Sequence, residues 1–258
     1  MNDLKLYWNN RVQQVGHTGW MNRYVYTLDQ YARLKVIRKI VKDLFDKTSI
    51  ENALDYGCGI GDFSKLLGSF AKDVFSYDIA DEVIKRAGQQ RGLLSNIIYS
   101  SSEEQLNIRL ETKRHDLILS ITVLGHILDE MKLELILQKL KNSLSPNGYL
   151  VLIEFVAEKS DQNNYQKFNT SEKWSSLFKY VGLIVEKKYS MDVPNNPTGV
   201  LYKSLFSKLN VFLASKFDFM FLLLIKKGKN RIDNSNDFIL EVGPLNIQKK
   251  LSIIILKR

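Results

Sequence analysis

A mostly parallel β-sheet covered by helices on both faces, an α/β fold, is predicted by three features of the 258-residue chain. Short apolar runs alternate with stretches of helical spacing along most of its length. Two of those runs, "LILS" and "YLVLI", are almost continuously apolar, as in strands buried on both faces. A glycine cluster, "GCGIG", follows the first strand, at the end of the sheet where ligands bind in such folds.

The elements follow in order. Residues 28 to 45 place Leu34, Ile37, Val41 and Leu44 at three- and four-residue spacing, an amphipathic helix with Lys35, Arg38, Lys39 and Lys42 on its polar face. "NALDY" is the first strand, and "DFSKLLGSF" resumes helical spacing after the glycines. "KDVFSYDIA" is a second strand ending at Asp78, and "DEVIKRAGQQRG" a second helix. "NIIYSSSEEQL" reads as a third strand with a polar loop behind it. The fourth strand runs from Asp116 to about Ser120. "DEMKLELILQKLKNSL" is a helix stopped by Pro146 and Gly148. "GYLVLIEF" is a fifth strand, and "SEKWSSLFKYVG" a helix capped by Ser171 and ended by Gly182. "LIVEKKYSMDV" and "KKLSIIILKR" are the last two strands. The domain reading is an N-terminal lid or helical segment over 1–48 and a main domain over 49–258, with an insertion at about 194–246.

Composition narrows the partners. The formal net charge of +9 favours anionic ones, though a solvated lysine-rich exterior gives the same value. The single Cys58 excludes an internal disulfide and fits a reducing compartment. "MNDLKLYWNN" lacks the layout of a signal peptide, and "FDFMFLLLI" falls well short of the roughly 20 residues that span a bilayer. The expected location is the cytoplasm, with peripheral contact at the inner face of the membrane left open.

"DYGCGIG" sets Gly57, Gly59 and Gly61 at alternate positions. Asp55 ends the strand before them, and Asp78 comes 17 residues after Gly61. An acidic residue about 20 positions on is the group that holds ribose hydroxyls in nucleotide-type sites. A dinucleotide loop would read G-x-G-x-x-G around a pyrophosphate. Here the third glycine comes one residue sooner, and Asp55 precedes the first, which suits a cationic amino-acid moiety better than a phosphate.

These residues carry a resemblance. "ALDYGCGIG" resembles the first motif of class I S-adenosylmethionine-dependent methyltransferases, and "FSYDIADEVIKRA" the second. "HDLILSITVLGHI" and "LSPNGYLVLIE" are similar to the family's fourth- and fifth-strand segments. The resemblance implies a Rossmann-like, seven-stranded, mostly parallel sheet with the last strand antiparallel. It implies S-adenosyl-L-methionine as donor and S-adenosyl-L-homocysteine as product. Asp55 and the backbone of Gly57, Gly59 and Gly61 would hold the methionine part, and Asp78 the ribose. Ile79 would lie beside the adenine, Ser102 and Glu103 near its amino group, and Ser120 close to the sulfonium.

The acceptor is less defined. Family members that methylate base amino groups often carry an Asn-Pro-Pro-Tyr-like motif after the fourth strand; "SITV" stands there instead. An oxygen acceptor needs in-line alignment and a base, and histidine suits that role near neutral pH. His126 follows the fourth strand and His17 lies in the opening segment; either is a candidate base, while His115 precedes the fourth strand at the remote end. No metal site is expected. "YWNNRVQQVGHTGWMNRYVYTLDQYARL" is similar to the N-terminal region of bacterial methyltransferases acting on surface polysaccharide. That resemblance implies a lid in which Trp20, Tyr24 and Tyr26 stack on a sugar or adenine, with Arg33 or Arg23 meeting a carboxylate. The expected activity is therefore O-methylation of a sugar hydroxyl in an O-antigen or related glycan, whether free or lipid-linked. A small-molecule or RNA methyltransferase and a non-catalytic donor-binding module are the alternatives. The insertion, rich in large apolar residues and lysines, reads as a core-packed helix pair, an interfacial membrane helix or a dimer contact.

Overall fold

The computed structural model describes residues 2–19, 23–46, 48–191, 239–241 and 250–258, with the backbone alone at 2, 23–25, 28, 191, 239–241 and 250. Two compact units emerge: residues 1–18, 47–190 and 241–258 form one, and residues 19–46 and 191–240 the other. Trp20 and most of the 194–246 insertion, with its three candidate roles, lie outside the described residues.

The first unit holds α1 (Asn2–Val15), β1 (Ile50–Tyr56), α3 (Asp62–Gly68), β2 (Ala71–Tyr77), α4 (Asp81–Gln89), β3 (Ile97–Ser100) and α5 (Glu103–Thr112). It continues through β4 (His115–Ile121), a 3-10 turn (Leu124–His126), α6 (Glu130–Ser143), β5 (Leu144–Ala157), β6 (Asp161–Gln162), β7 (Lys167–Thr170) and α7 (Ser171–Val181). Strands β8 (Ile184–Met191), β9 (Ile239–Glu241) and β10 (Lys250–Lys257) follow. The second unit contains α2 (Arg23–Leu44).

Seven strands run β3-β2-β1-β4-β5-β10-β8 across the sheet. Strands β1 to β5 pair in parallel, and β10 is antiparallel to β5, from Lys250 opposite Val156 to Lys257 opposite Tyr149. The apolar runs explain the centre: Leu117, Ile118 and Leu119 of β4 and Leu150 to Ile153 of β5 are completely buried. Trp174, Phe178, Leu137 and Leu140 from α6 and α7 pack in the same core cluster as Ile118, Leu152 and Ile254. The chain builds β2 and β3 on one side of β1, then crosses to β4 and β5 on the other. The β1 and β4 C-terminal ends therefore flank the point where strand order reverses, the usual mouth of such a sheet.

The N-terminal stretch read as a lid or helical segment begins with a helix, α1, in which Val12 is buried. Two local differences from the sequence reading have physical causes. The stretch behind β3 is α5, started by Ser102, whose side chain accepts from the Gln105 N–H, and held by buried Leu106 and Leu110. The last helix is capped by Thr170 rather than Ser171: the Thr170 hydroxyl accepts from the Lys173 N–H at 3.2 Å. Gly182 closes that helix in the left-handed region at φ +75°, as its position predicts.

Candidate active site

The glycine loop is where three other segments meet. Gly57 and Gly61 have φ of +78° and +86°, a region open to glycine at little cost. A Cβ on Gly57 would fall 2.2 Å from Val123 Cγ2, and one on Gly61 2.5 Å from the Tyr99 hydroxyl. On Gly59 it would lie 2.8 Å from Thr18 Oγ1, so the segment after α1 reaches the loop. The N–H groups of Gly57 and Cys58 both donate to the Tyr77 carbonyl, tying the loop to the end of β2.

Two carboxyl groups fix this loop. Asp55, on β1 and buried, accepts from Ser64 Oγ of α3 at 2.6 Å. Burial pushes its pKa up to about 7, against the lowering effect of Ser64. Asp78, directly after β2, accepts the Gly59 N–H on Oδ2 and the Ala80 N–H on Oδ1, each at 3.1 Å. Burial raises it to about 6, and the two N–H donors pull the other way. Cys58 is buried, and burial together with the Asp55 and Asp78 charges holds its thiol well above the ordinary value. It is a neutral filler rather than a nucleophile.

The rest of the rim comes from β3, β4 and β5. Ile79, half-buried, continues from Asp78. Ser102 spends its hydroxyl on the α5 cap, and exposed Glu103 opens that helix. Ser120 on β4 is completely buried, and its Oγ has no hydrogen-bond partner among the described residues. Thr122 takes φ +55°, a rare conformation outside glycine, as the chain turns sharply off β4. Glu154, completely enclosed on β5, holds that turn: Oε1 accepts from the Val123 and Leu124 N–H groups at 2.9 and 2.8 Å, and Oε2 more weakly from Gly125 at 3.4 Å.

The three histidines have different settings. His115, at the start of β4, is buried and pushed down to about 4, first by burial and then by Arg109. His17 is 4% exposed, between α1 and the Thr18 contact on the glycine loop. His126 ends the 3-10 turn that Glu154 anchors. Its Nδ1 lies 2.7 Å from the Tyr165 carbonyl, which can only accept, so Nδ1 carries the proton and Nε2 keeps a lone pair. Burial lowers its pKa, with the Tyr165 bond opposing, and the ring is neutral at pH 7.

Around His126 lies a ring cluster with no local signature in sequence. Tyr165 stacks near-parallel to His126 at 6.0 Å and to Tyr7 at 5.1 Å. Trp8 stands edge-on to both, 5.0 Å from His126 and 4.9 Å from Tyr7. Tyr7 and Trp8 come from α1, which also crosses to α4: Asn9 Oδ1 accepts the Glu82 N–H at 3.0 Å, and Lys5 pairs with Asp81 at 2.7 Å. The remaining aromatic and basic candidates belong to the α2 unit. There Tyr26 is buried and accepts from Gln30 Nε2 at 3.1 Å, while buried Arg33 pairs with Asp29 at 2.8 Å. The Tyr24 and Arg23 side chains lie outside the described residues.

Among the described residues no group of three His, Cys, Asp or Glu side chains could hold a metal ion, and no helix is long and apolar enough to cross a membrane. The residues fit a nucleoside-bearing sulfonium donor. Asp78 is held by two backbone N–H groups at the strand end, the Gly57–Gly61 backbone turns through left-handed conformations directly after β1, and the buried Ser120 hydroxyl has no hydrogen-bond partner among the described residues.

Comparison with known proteins agrees with that fit. The family model described as methyltransferase domain matches residues 28–196. The N-terminal Xaa-Pro-Lys N-methyltransferase 1-B of Xenopus laevis is 29% identical over 159 residues, covering 59% of this chain and 69% of that protein. Its Homo sapiens counterpart, N-terminal Xaa-Pro-Lys N-methyltransferase 1, is 27% identical over 161 residues, covering 60% and 70%. Among solved structures, a SAM-dependent methyltransferase of Leishmania major shares the fold, with a TM-score of 0.62 at 15% identity, over 99% of this chain and 82% of that one. With the glycine loop, the strand order and the antiparallel β10 already in place, the chain belongs to the methyltransferase-domain family and is an S-adenosylmethionine-dependent methyltransferase.

Proposed function

We propose that the protein transfers a methyl group to a sugar hydroxyl of a bacterial surface polysaccharide, with His126 as general base. The observation that carries this reading is the neutral His126 ring, locked by the Tyr165 carbonyl with its Nε2 lone pair left over, beside an aromatic cluster. When bound, S-adenosylmethionine supplies an electrophilic methyl group. Asp78 and Ile79 would hold its nucleoside, with Ser102 and Glu103 near the adenine. The Gly57–Gly61 loop, braced by Asp55 through Ser64, would hold the methionine part, and Ser120 would lie towards the sulfonium.

The chain's own task is then to orient the acceptor oxygen in line and to take its proton. His126 Nε2 is suited to accept that proton, because burial keeps the ring neutral at pH 7. His126 is preferred to His17, which is 4% exposed and so poorly placed to meet an acceptor. Aromatic rings such as Tyr7, Trp8 and Tyr165 offer apolar faces against which a sugar ring packs.

A second reading is methyl transfer to an amine, favoured by the likeness to the Xaa-Pro-Lys N-methyltransferases. It uses the same base, since a protonated amine must also lose a proton before attack. A radiolabelled methyl-transfer assay with O-antigen-type glycans and with Xaa-Pro-Lys peptides separates the two. Label in the glycan supports the first reading; label confined to the peptide overturns it.

A further inference from the structure

We propose that Trp8 is a positioning residue for the reaction: from α1 it fixes the ring of His126 against the Tyr165 carbonyl, so that the general base is completed by a helix outside the sheet. The inference rests on His126 being the base.

Three contacts define the imidazole. The Nδ1–H bond to Tyr165 at 2.7 Å sets the tautomer, and the Tyr165 ring lies near-parallel to it, at 17°. Those two leave rotation about the side-chain bonds restrained from one residue only. The third contact is the Trp8 indole, 85° to the imidazole at a centroid distance of 5.0 Å. It adds a restraint from a second element, and Tyr7, stacked at 15° on Tyr165 and edge-on to Trp8, links the two walls. Trp8 itself is held because α1 is pinned elsewhere along its length, by Asn9 to the Glu82 N–H and by Lys5 to Asp81. A base must be held within a fraction of an ångström of its productive position, and packing of its neighbours is what does so.

The charged and titratable neighbours do not explain the setting of His126. Arg11 of α1 acts on Tyr7, Glu154 is engaged by the backbone of the turn, and Glu130 at the start of α6 pairs with Lys167 and Lys173. The imidazole is lowered by burial, with the Tyr165 bond as the sole opposing influence. Removing the indole opens the ring to water and lets its pKa return towards the ordinary 6.5.

The test compares the Trp8→Ala, Trp8→Phe and His126→Gln variants of the full chain. The readouts are turnover on whichever of the O-antigen-type glycan or the Xaa-Pro-Lys peptide takes the radiolabel, the pH profile of kcat/KM, and donor affinity by calorimetry. Trp8→Ala is expected to lower kcat at least tenfold and to move the acidic limb of the profile upward in pH, with donor affinity within about twofold of wild type. Trp8→Phe, which keeps an aromatic edge, restores most of both. A Trp8→Ala variant with wild-type limb and kcat overturns the proposal, as does one whose only change is a lower melting temperature. If His126→Gln keeps the acidic limb and the rate, the base assignment fails instead, whatever Trp8 does. If His126→Gln loses the limb while Trp8→Ala keeps it, the positioning role alone fails.

Discussion

The Gly59 N–H donates to Asp78 Oδ2 at 3.1 Å, so the carboxylate at the end of β2 also holds the middle of the glycine loop. One side chain thereby links the two parts of the donor site. Its other oxygen is held by the Ala80 N–H, which aims the group outward from the strand end.

Asp78→Asn is expected to weaken donor binding by roughly 10- to 100-fold, the scale of a lost charge-assisted hydrogen bond. The wild-type affinity should rise as pH increases through about 6, where the raised carboxyl ionises and becomes a full acceptor. Asp78→Asn should lack that step. Calorimetric titration of the donor from about one unit below the transition to about two above it checks both.

Asp55 gives a stability prediction with a definite sign. Its pKa is raised from 3.8 to about 7, so the folded protein holds this proton more tightly than the unfolded chain. The contribution is fully present below about 3.8 and is lost as pH rises through about 7. Asp55→Asn keeps an oxygen for Ser64 and has no proton to lose. The variant should therefore gain stability relative to wild type as pH rises from about 4 to about 7 and level off above that, measured by urea unfolding of the donor-free protein. A constant difference across that range would remove the assignment.

Glu154→Ala should be among the most damaging single changes. It strips the acceptor from two well-made backbone bonds and one weaker one at a completely enclosed position. A loss of about 3 kcal/mol in unfolding free energy is expected, because the freed N–H groups stay buried. Turnover should fall with it, since the same turn carries His126. Denaturant titration alongside a rate assay reads both effects.

Asn9→Ala removes the side-chain acceptor of the Glu82 N–H in the first turn of α4, where Ala80 offers no cap of its own. A cost of about 1 kcal/mol is expected. The neighbouring Lys5–Asp81 pair is largely exposed and should add little, particularly in salt. Amide hydrogen exchange should show faster exchange in α1 and in the first turn of α4, with the β4 and β5 amides unchanged.

What could be read from the sequence follows the range of the interactions. The strands were legible because their apolar runs are local, and the glycine loop because Gly57, Gly59 and Gly61 sit within five residues of one another. Asp55 and Asp78 are marked by their places at the ends of strands. The partners of His126 carried no such mark: Tyr7, Trp8 and Tyr165 reach it from distant parts of the chain, through aromatic contacts that no local pattern announces. Glu154 lies inside an apolar strand and carries no local sign of its partners. That it holds a turn some 30 residues earlier needed the register of β4 beside β5. Ser102 shows the reverse case, since a local capping pattern accounts for a hydroxyl placed near the adenine by resemblance.

The antiparallel β10 sits between β5 and β8, though every other strand of the sheet is synthesised before it. During synthesis on the ribosome, the edges of β5 and β8 must wait with a strand-wide gap between them. Eight consecutive pairings, Lys250 with Val156 through Lys257 with Tyr149, then join across nearly a hundred residues or more of chain. Such late, distant closure slows folding and leaves β5, with its apolar run, open to mispairing until it occurs. The exposed edge of β5 is therefore most open to aggregation in the interval before β10 pairs with it.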